Sequence, residues 1–598
     1  MTTQGDIGGE NLERINENLA KVEQLSNRLI TALSQRKPMN AALQAPNQEL
    51  FVKAGVAYWQ EMLENPSRLM ETQFQYWGKT LKHYMDAQKA LAQGRLQAPE
   101  DETPDDPRFV NPLWKSHPYF NFVKQQYMRN SEAIREAVAT AREELDERDA
   151  KRLDYFTQQI VDMMSPTNFL GTNPDALEKA VATEGDSLVQ GLENLISDIE
   201  ANGGDFAVRL ADQQAFEVGK NIATTPGEVV FRNRLFELIQ YTPTTETVHE
   251  TPLIIFPPWI NKFYIMDLKE KNSLIRWIVD QGYTLFVVSW VNPDESYADV
   301  GLEHYIEEGY LTAMREVKAI CGVERINAVG YCIAGTTLAL TLALLKSRGD
   351  KTVRSATFFT TLTDFSDQGE FQPFLQDDFV DGIVAEVEAS GILRSYIMAR
   401  TFSFLRSNDL IYKPAIRSYM MGEAPPAFDL LYWNGDGTNL PGKMATQYLR
   451  GLCQQDRFAQ EGFELLDELL RLKDVDVPVC AIACETDHIA AARDSYRGIQ
   501  AMASRSKTFI LSQSGHIAGI INPPSKKKYG HYTNTDLSLD FEAWREGASF
   551  HEGSWWPRWG SWLKGRSGKQ VPAREPGDSE HPSLAPAPGT YVKPLANL

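Results

Sequence analysis

The sequence predicts an α/β protein: a mostly parallel sheet with a helical insertion, preceded by a mainly α-helical N-terminal region. Three observations carry that prediction. From about residue 228 onward, short apolar runs alternate with helical segments. Before about residue 205, apolar residues recur instead at three- and four-residue spacing. Between Phe365 and Leu470 the alternation lapses into segments rich in Phe, Tyr, Leu and Met.

Taken in chain order, Leu12, Ile15, Leu19, Val22, Leu25, Leu29 and Leu33 describe an amphipathic helix or a short coiled-coil seam. A helical stretch rich in aromatics follows (Phe51, Tyr58, Trp59, Phe74, Tyr76, Trp77, Tyr84), then a Pro/Asp/Glu linker from Ala98 to Pro107. Further helices are predicted through Ser131 to Met164 and Asp175 to Ile199. Buried strands are predicted at Leu253–Phe256, Thr284–Ser289, Ile326–Val329, Ser355–Thr360, Val477–Ala483 and Thr508–Leu511. The tail from Arg566 is rich in Pro, Gly and Ala and reads as extended along the surface or mobile. The implied domains are 1–205, 206–565 with a cap insertion at about 365–470, and a tail at 566–598.

Composition narrows the function. A chain of 598 residues has room for two or more domains. Its formal net charge of −20 argues against nucleic acid and against anionic surfaces, so an anionic substrate would need a local basic site. The polar start, Met1-Thr-Thr-Gln-Gly-Asp6, lacks a signal-peptide pattern. No apolar run approaches the ~20 residues that span a bilayer, so a cytoplasmic protein without a transmembrane segment is expected. Five cysteines in such a chain suggest reduced thiols.

One of those thiols stands out. In Ile326-Asn-Ala-Val-Gly-Tyr-Cys-Ile-Ala-Gly335 an apolar strand breaks at a glycine, presents Cys332, and opens into a helix-forming run. This is the layout of a nucleophile elbow with cysteine in place of serine. A lone cysteine beside an apolar strand is usually a small buried hydrophobe. Two downstream residues change that balance. Asp487 ends the β-rich run Asp476–His488, and His516 follows the strand Thr508–Leu511 in a Gly turn. Nucleophile, acid and His in that order is the arrangement of the α/β-hydrolases.

Two other patterns carry less. Gly437 to Met444 mimics a phosphate loop but contains Pro441, ends in Met, and follows no strand. Cys480, Cys484, Asp487 and His488 fit no standard zinc spacing, so no metal and no cofactor are expected.

The segments Gly330–Thr336, Phe256–Asp267, Ser289–Pro293, Thr486–Ile489 and Ser514–Pro523 together resemble the polyhydroxyalkanoate synthases, and the single long chain resembles their class I, short-chain type. The likeness extends from Met163–Phe169 through Gly553–Pro557 to Leu584–Val592. One departure is Ala334, where that family usually carries glycine. The resemblance implies a polymerase that converts (R)-3-hydroxyacyl-CoA, 3-hydroxybutyryl-CoA in particular, into polyester with release of CoA. It implies Cys332 as nucleophile and His516 as base, with Asp487 orienting His516 or helping to activate the substrate hydroxyl. The backbone N–H groups of Ile333 and Ile260 would form the oxyanion hole, and Trp259 and Trp433 are candidate substrate contacts. Expected partners are the acyl-CoA, the growing polyester, granule-associated proteins and a second copy of the chain. The setting would be the cytoplasmic surface of polyester granules, with the N-terminal domain serving assembly or granule association. A Cys-dependent thioesterase or esterase is the alternative enzyme, and a non-catalytic granule scaffold the alternative class.

Overall fold

The computed structural model describes scattered residues between 21 and 35, then residues 98–595 apart from 144 and 205. The seam positions Leu12, Ile15, Leu19 and Val22, and the aromatic stretch from Phe51 to Tyr84, lie outside the described residues. The chain divides into two compact units. Residues 1–210 join with 400–426, and residues 211–399 join with 427–597.

The second unit is organised by a sheet whose strands, in chain order, are β1 (Gly227–Arg232), β2 (Phe236–Tyr241), β3 (Leu253–Phe256), β4 (Leu285–Trp290), β5 (Ile326–Tyr331), β6 (Val353–Phe359), β7 (Val479–Cys484), β8 (Lys507–Ser512), β9 (His531–Thr533), β10 (Ser549–His551) and β11 (Ala585–Pro586). Their spatial order is β10-β9-β8-β7-β6-β5-β3-β4-β2-β1-β11. The six strands from β8 to β4 run parallel, and antiparallel strands extend both edges. All six residues of β5 are buried, as are all six of β7. Helices covering both faces of a parallel sheet favour such continuous apolar runs over alternation.

Register decides where function can sit. Phe256 stands opposite Gly330, Tyr331 opposite Phe359, Phe359 opposite Ile482, and Cys484 opposite Ser512. The C-terminal ends of β3, β5, β6, β7 and β8 therefore share one edge of the sheet, the place where open α/β sheets bind ligands. Beneath that edge the core gathers Val329, Phe359, Ile482 and Ile510 with Trp555, Trp556 and Trp559. The Trp559 indole N–H donates to Thr357 Oγ1 at 3.0 Å, so this large ring is buried without an orphan donor.

The tail is extended and docked. Gln570–Pro572 pairs with Thr247–His249, β11 pairs with β1, and the Glu237 carboxylate accepts the N–H groups of Thr590 and Tyr591 at 2.8 and 3.0 Å.

The first unit is helical. Its helices Pro118–Arg142 and Glu147–Met163 split the segment that periodicity alone reads as one, because Asp146 accepts from the N–H groups of Arg148 and Asp149 at 3.0 and 2.9 Å and starts a new helix. The segment Asp175–Ile199 likewise divides into Pro174–Ala182 and Asp186–Ala201 at Gly185, whose φ is +89°. Within this unit Asp186–Ala201 packs on residues 416–423. Asn194 Nδ2 donates to the carbonyls of Ser418 and Glu423 at 3.1 and 3.2 Å, and the Tyr419 hydroxyl donates to Asp198 Oδ2 at 2.7 Å. A Cβ on Gly191 would overlap the Tyr419 carbonyl. This division cuts through the insertion expected at 365–470. Among the described residues, no helix is long and apolar enough to cross a membrane.

Gly191→Ala should therefore destabilise the helical unit by about 1–3 kcal/mol, the usual range for overpacking. Chemical denaturation and faster proteolytic cleavage between 400 and 426 would report it, and unchanged protection of that segment would refute the packing argument.

Candidate active site

Cys332 joins β5 to the helix Ile333–Ser347 with φ 54° and ψ −128°. A non-glycine residue in such a region costs on the order of 1–3 kcal/mol and persists only where its surroundings fix it. The fixing contacts are explicit. The Cys332 N–H donates to the Phe359 carbonyl at 2.8 Å, and the Cys332 carbonyl accepts from the Gly335 N–H at 2.9 Å and from Thr361 Oγ1 at 3.2 Å. A Cβ on Gly330 would lie 2.5 Å from Gly335 Cα, and one on Gly335 would overlap the Thr361 side chain. Strand and helix thus approach closely at Gly335. Ala334 is fully buried, and its carbonyl accepts the Tyr310 hydroxyl at 2.7 Å. The Cys332 side chain is half-buried at the sheet edge, beside the first helical N–H, that of Ile333.

Asp487 and His516 come to the same edge from the loops after β7 and β8. His516 Nδ1 and Asp487 Oδ2 are 2.7 Å apart, and both side chains are almost wholly buried. Asp487 Oδ1 accepts the N–H groups of Ile489 and Ala490, both at 2.9 Å. Each carboxylate oxygen is thereby engaged. The Cys332 thiol lies close enough to His516 to act on the imidazole. Burial pulls the imidazole toward its neutral form, but the influences of Asp487 and Cys332 outweigh it and raise its proton affinity. With Nδ1–H given to the carboxylate, Nε2 is left to exchange a proton with the thiol.

The loop after β3 carries Trp259 and Ile260. The Ile260 carbonyl accepts the Thr438 N–H at 3.0 Å, which gives the segment that mimics a phosphate loop a structural task. The Trp259 indole is buried, donates to Thr337 Oγ1 at 3.2 Å, and lies 5.7 Å from the Tyr448 ring. The Trp433 N–H donates to the Lys262 carbonyl at 2.7 Å. Lys262 in turn buries its ammonium against Asp436 at 2.5 Å, where it also donates to the Pro594 carbonyl at 2.7 Å, while the Tyr264 hydroxyl donates to the other Asp436 oxygen at 2.8 Å. This network ties the Ile260 loop to the insertion and to the tail.

Several residues at this edge escaped the sequence reading. Tyr310 stacks on Phe256 at 4.0 Å and holds the Ala334 carbonyl, bridging β3 and the elbow. Trp555 and Trp556 donate their indole N–H groups to Gly519 and Ile520 at 2.8 and 2.9 Å, fixing the turn that follows His516. The Trp-Trp pair was visible in the sequence, but its target was not. Tyr448 is kept neutral by burial and by the nearby thiols of Cys453 and Cys332. Cys480 and Cys484 lie buried in β7, with the Cys484 sulfur against Gly519. Among the described residues, no group of His, Cys, Asp and Glu is placed to hold a metal ion.

Two measurements follow. In a pH titration followed by NMR, Asp487→Asn should move the His516 midpoint down further than Cys332→Ala does, since Asp487 is the larger of the two influences that raise it. An unmoved midpoint would show that the carboxylate does not govern the imidazole. Lys262→Met strands a buried carboxylate and should cost about 3–5 kcal/mol, much of it recovered when Asp436→Asn is added. Equal denaturation midpoints for the single and double variants would argue against the pairing.

Comparison with known proteins agrees with this architecture. Residues 105–278 match the family described as "Poly-beta-hydroxybutyrate polymerase (PhaC) N-terminus", and residues 252–523 match the alpha/beta hydrolase fold. The chain is 42% identical over 535 residues to a poly(3-hydroxyalkanoate) polymerase of Methylorubrum extorquens, covering 89% of this chain and 87% of the relative. It is 38% identical over 543 residues to the PhaC subunit of Rhizobium meliloti, covering 90% and 87% of the two chains. The PhaC subunit of Cupriavidus necator is also 38% identical, over 540 residues and 89% of each chain. An α/β-hydrolase sheet, a Cys332 elbow and likeness along nine-tenths of the chain lead to one conclusion: this chain belongs to the poly(3-hydroxyalkanoate) polymerase family.

Proposed function

We propose that this enzyme, an acyltransferase, polymerises (R)-3-hydroxyacyl-CoA, with 3-hydroxybutyryl-CoA its main substrate, through an acyl thioester on Cys332. The observation that carries the reading is the His516 imidazole paired with Asp487 at 2.7 Å at the sheet edge where Cys332 sits in its strained elbow. His516 Nε2 takes the thiol proton, and the thiolate attacks the acyl carbon of the CoA thioester. The oxyanion is met by the N–H groups of Ile333 and Ile260. CoA leaves as its thiol with the proton from His516, so one thioester replaces another and the acyl carbon stays activated. A 3-hydroxyl then gives its proton to His516 and attacks a Cys332-bound acyl group; the C–O ester bond forms as the C–S bond breaks, and the departing Cys332 thiolate takes the proton from His516 to restore the thiol.

Asp487 has two conceivable duties, and its hydrogen bonds favour one. Both oxygens are occupied, one by His516 and one by backbone N–H groups, which supports orientation of His516 over direct contact with the substrate hydroxyl. The proposed setting is a homodimer in the cytoplasm, at the surface of polyester granules and among granule-associated proteins. It rests on family membership.

Incubating purified protein with 3-hydroxybutyryl-CoA while following free thiol and turbidity tests the reading; soluble 3-hydroxybutyrate without polymer would mean a thioesterase. Cys332→Ala should form no acyl-enzyme, and substantial polymer from it would refute the assignment. His516→Gln should slow acylation by about 10²–10⁴-fold. Asp487→Asn should lose acylation and chain growth in the same proportion. Intact acylation with failed elongation would instead assign the carboxylate to the substrate hydroxyl.

A further inference from the structure

The connection from β8 to β9 runs from Gln513 to Gly530 and contains His516 near its start. Near its end stand Lys526, Lys527 and Lys528, all exposed. No Asp or Glu occurs between Gln513 and Thr535, although the whole chain has 80. None of the three lysines pairs with a carboxylate among the described residues. Three adjacent uncompensated ammonium groups on a protein of net charge −20 form a local field opposite to that of the molecule.

The two ends of this loop are fastened to each other. The Gln513 N–H donates to the Gly530 carbonyl at 2.9 Å, and the Gly530 N–H donates to Gln513 Oε1 at 2.8 Å. Asn522 Nδ2 donates to the Tyr529 carbonyl at 3.0 Å. Lys528 Nζ lies 4.8 Å from the Tyr529 ring centre, and Lys528 and Ser514, the latter two residues before His516, both hold the Tyr529 hydroxyl below its usual range. The lysines and the imidazole therefore belong to one closed loop at the C-terminal edge of β8.

We propose that Lys526, Lys527 and Lys528 form a subsite for the phosphate groups of the coenzyme A thioester. The inference rests on the acyl-CoA reading above and names where the anionic part of that substrate is held. The phosphates lie far along the pantetheine arm from the thioester. Their cations must stand at the solvent-facing rim rather than beside Cys332, and long exposed side chains on the loop that carries His516 meet that need. Exposed ammonium groups are also suited to a substrate that must leave as CoA after every acyl transfer, since each pair is weak and screened by salt.

The test compares two thioesters in the full chain: 3-hydroxybutyryl-CoA, and the N-acetylcysteamine thioester of the same acyl group, which has no phosphate. Lys526→Ala/Lys527→Ala/Lys528→Ala should raise KM for the CoA thioester on the order of tenfold with kcat held, and the gap should narrow as salt is raised. The N-acetylcysteamine thioester should be used as well by the variant as by the unaltered protein, and the triple Lys→Arg form should retain the normal KM. An unchanged KM for the CoA thioester, or equal loss with both substrates, would overturn the subsite. If the unaltered protein is acylated at Cys332 by neither thioester, the acyl-CoA reading falls and takes the subsite with it.

Discussion

The close approach of Gly330 to Gly335 is the constraint on which the rest of the site depends. Only with strand and helix in near contact does the chain reverse tightly enough to hold Cys332 at positive φ, and only then does the thiol stand above the sheet instead of packing into it. The hydrogen bonds of Phe359 and Thr361 to the Cys332 backbone keep that geometry from relaxing. A β-carbon at either glycine would widen the elbow and carry the helix N-terminus with it. Ala334 is itself fully buried, and the close strand-to-helix contact is made by its neighbour Gly335.

Around that strained residue the structure invests in rigidity. Asp487 is immobilised by two backbone N–H groups before it meets His516, and the turn after His516 is clamped by the indoles of Trp555 and Trp556. Tyr310 does the same for the elbow and the strand before Ile260. Such support would keep an imidazole aligned while it gained and lost protons, as the proposed acyl transfer requires. The buried Lys262–Asp436 pair makes the Ile260 loop depend on the insertion and on Pro594 of the tail, so parts distant in sequence bear on one loop.

Much of this was legible from the sequence, for a physical reason. Buried parallel strands are short continuous apolar runs, and each of the six predicted runs overlaps a strand of the central sheet. The elbow was legible because glycine spacing and the helix-forming run after Cys332 are local signals. Asp487 and His516 were legible because each ends a strand, so chain order and strand ends together suggest proximity. Tyr310, Tyr448 and the Trp555–Trp556 clamp were not, since an aromatic side chain looks the same in a sequence whether it fills a core or grips a carbonyl. The edge strands β9, β10 and β11 were missed as well. Two or three residues give too little periodicity to detect, and β11 contains a proline that only an edge tolerates. Helix breaks at Asp146 and Gly185 were overlooked where a hydrophobic period ran on through the cap.

The division of the chain changes how the N-terminal region must be understood. Residues 400–426 leave the sheet unit and return to it, yet they complete the helical unit by packing on Asp186–Ala201. Asn194 and Asp198 hold Ser418, Tyr419 and Glu423, and burial beside the Asp198 carboxylate raises the Tyr419 hydroxyl so that it remains a donor. The helical unit is therefore built from two separate stretches of the chain. Removing residues 1–205 would strip the carbonyls of Ser418 and Glu423 and the Tyr419 ring of these partners on a segment whose two ends continue into the sheet unit. Loss of polymer after such a truncation would not by itself prove a granule-binding role, because the same cut disturbs the insertion. A change confined to the far ends of the helical unit, leaving Gly191, Asn194 and Asp198 in place, separates the two explanations, since it spares the packing while altering whatever surface the helices offer.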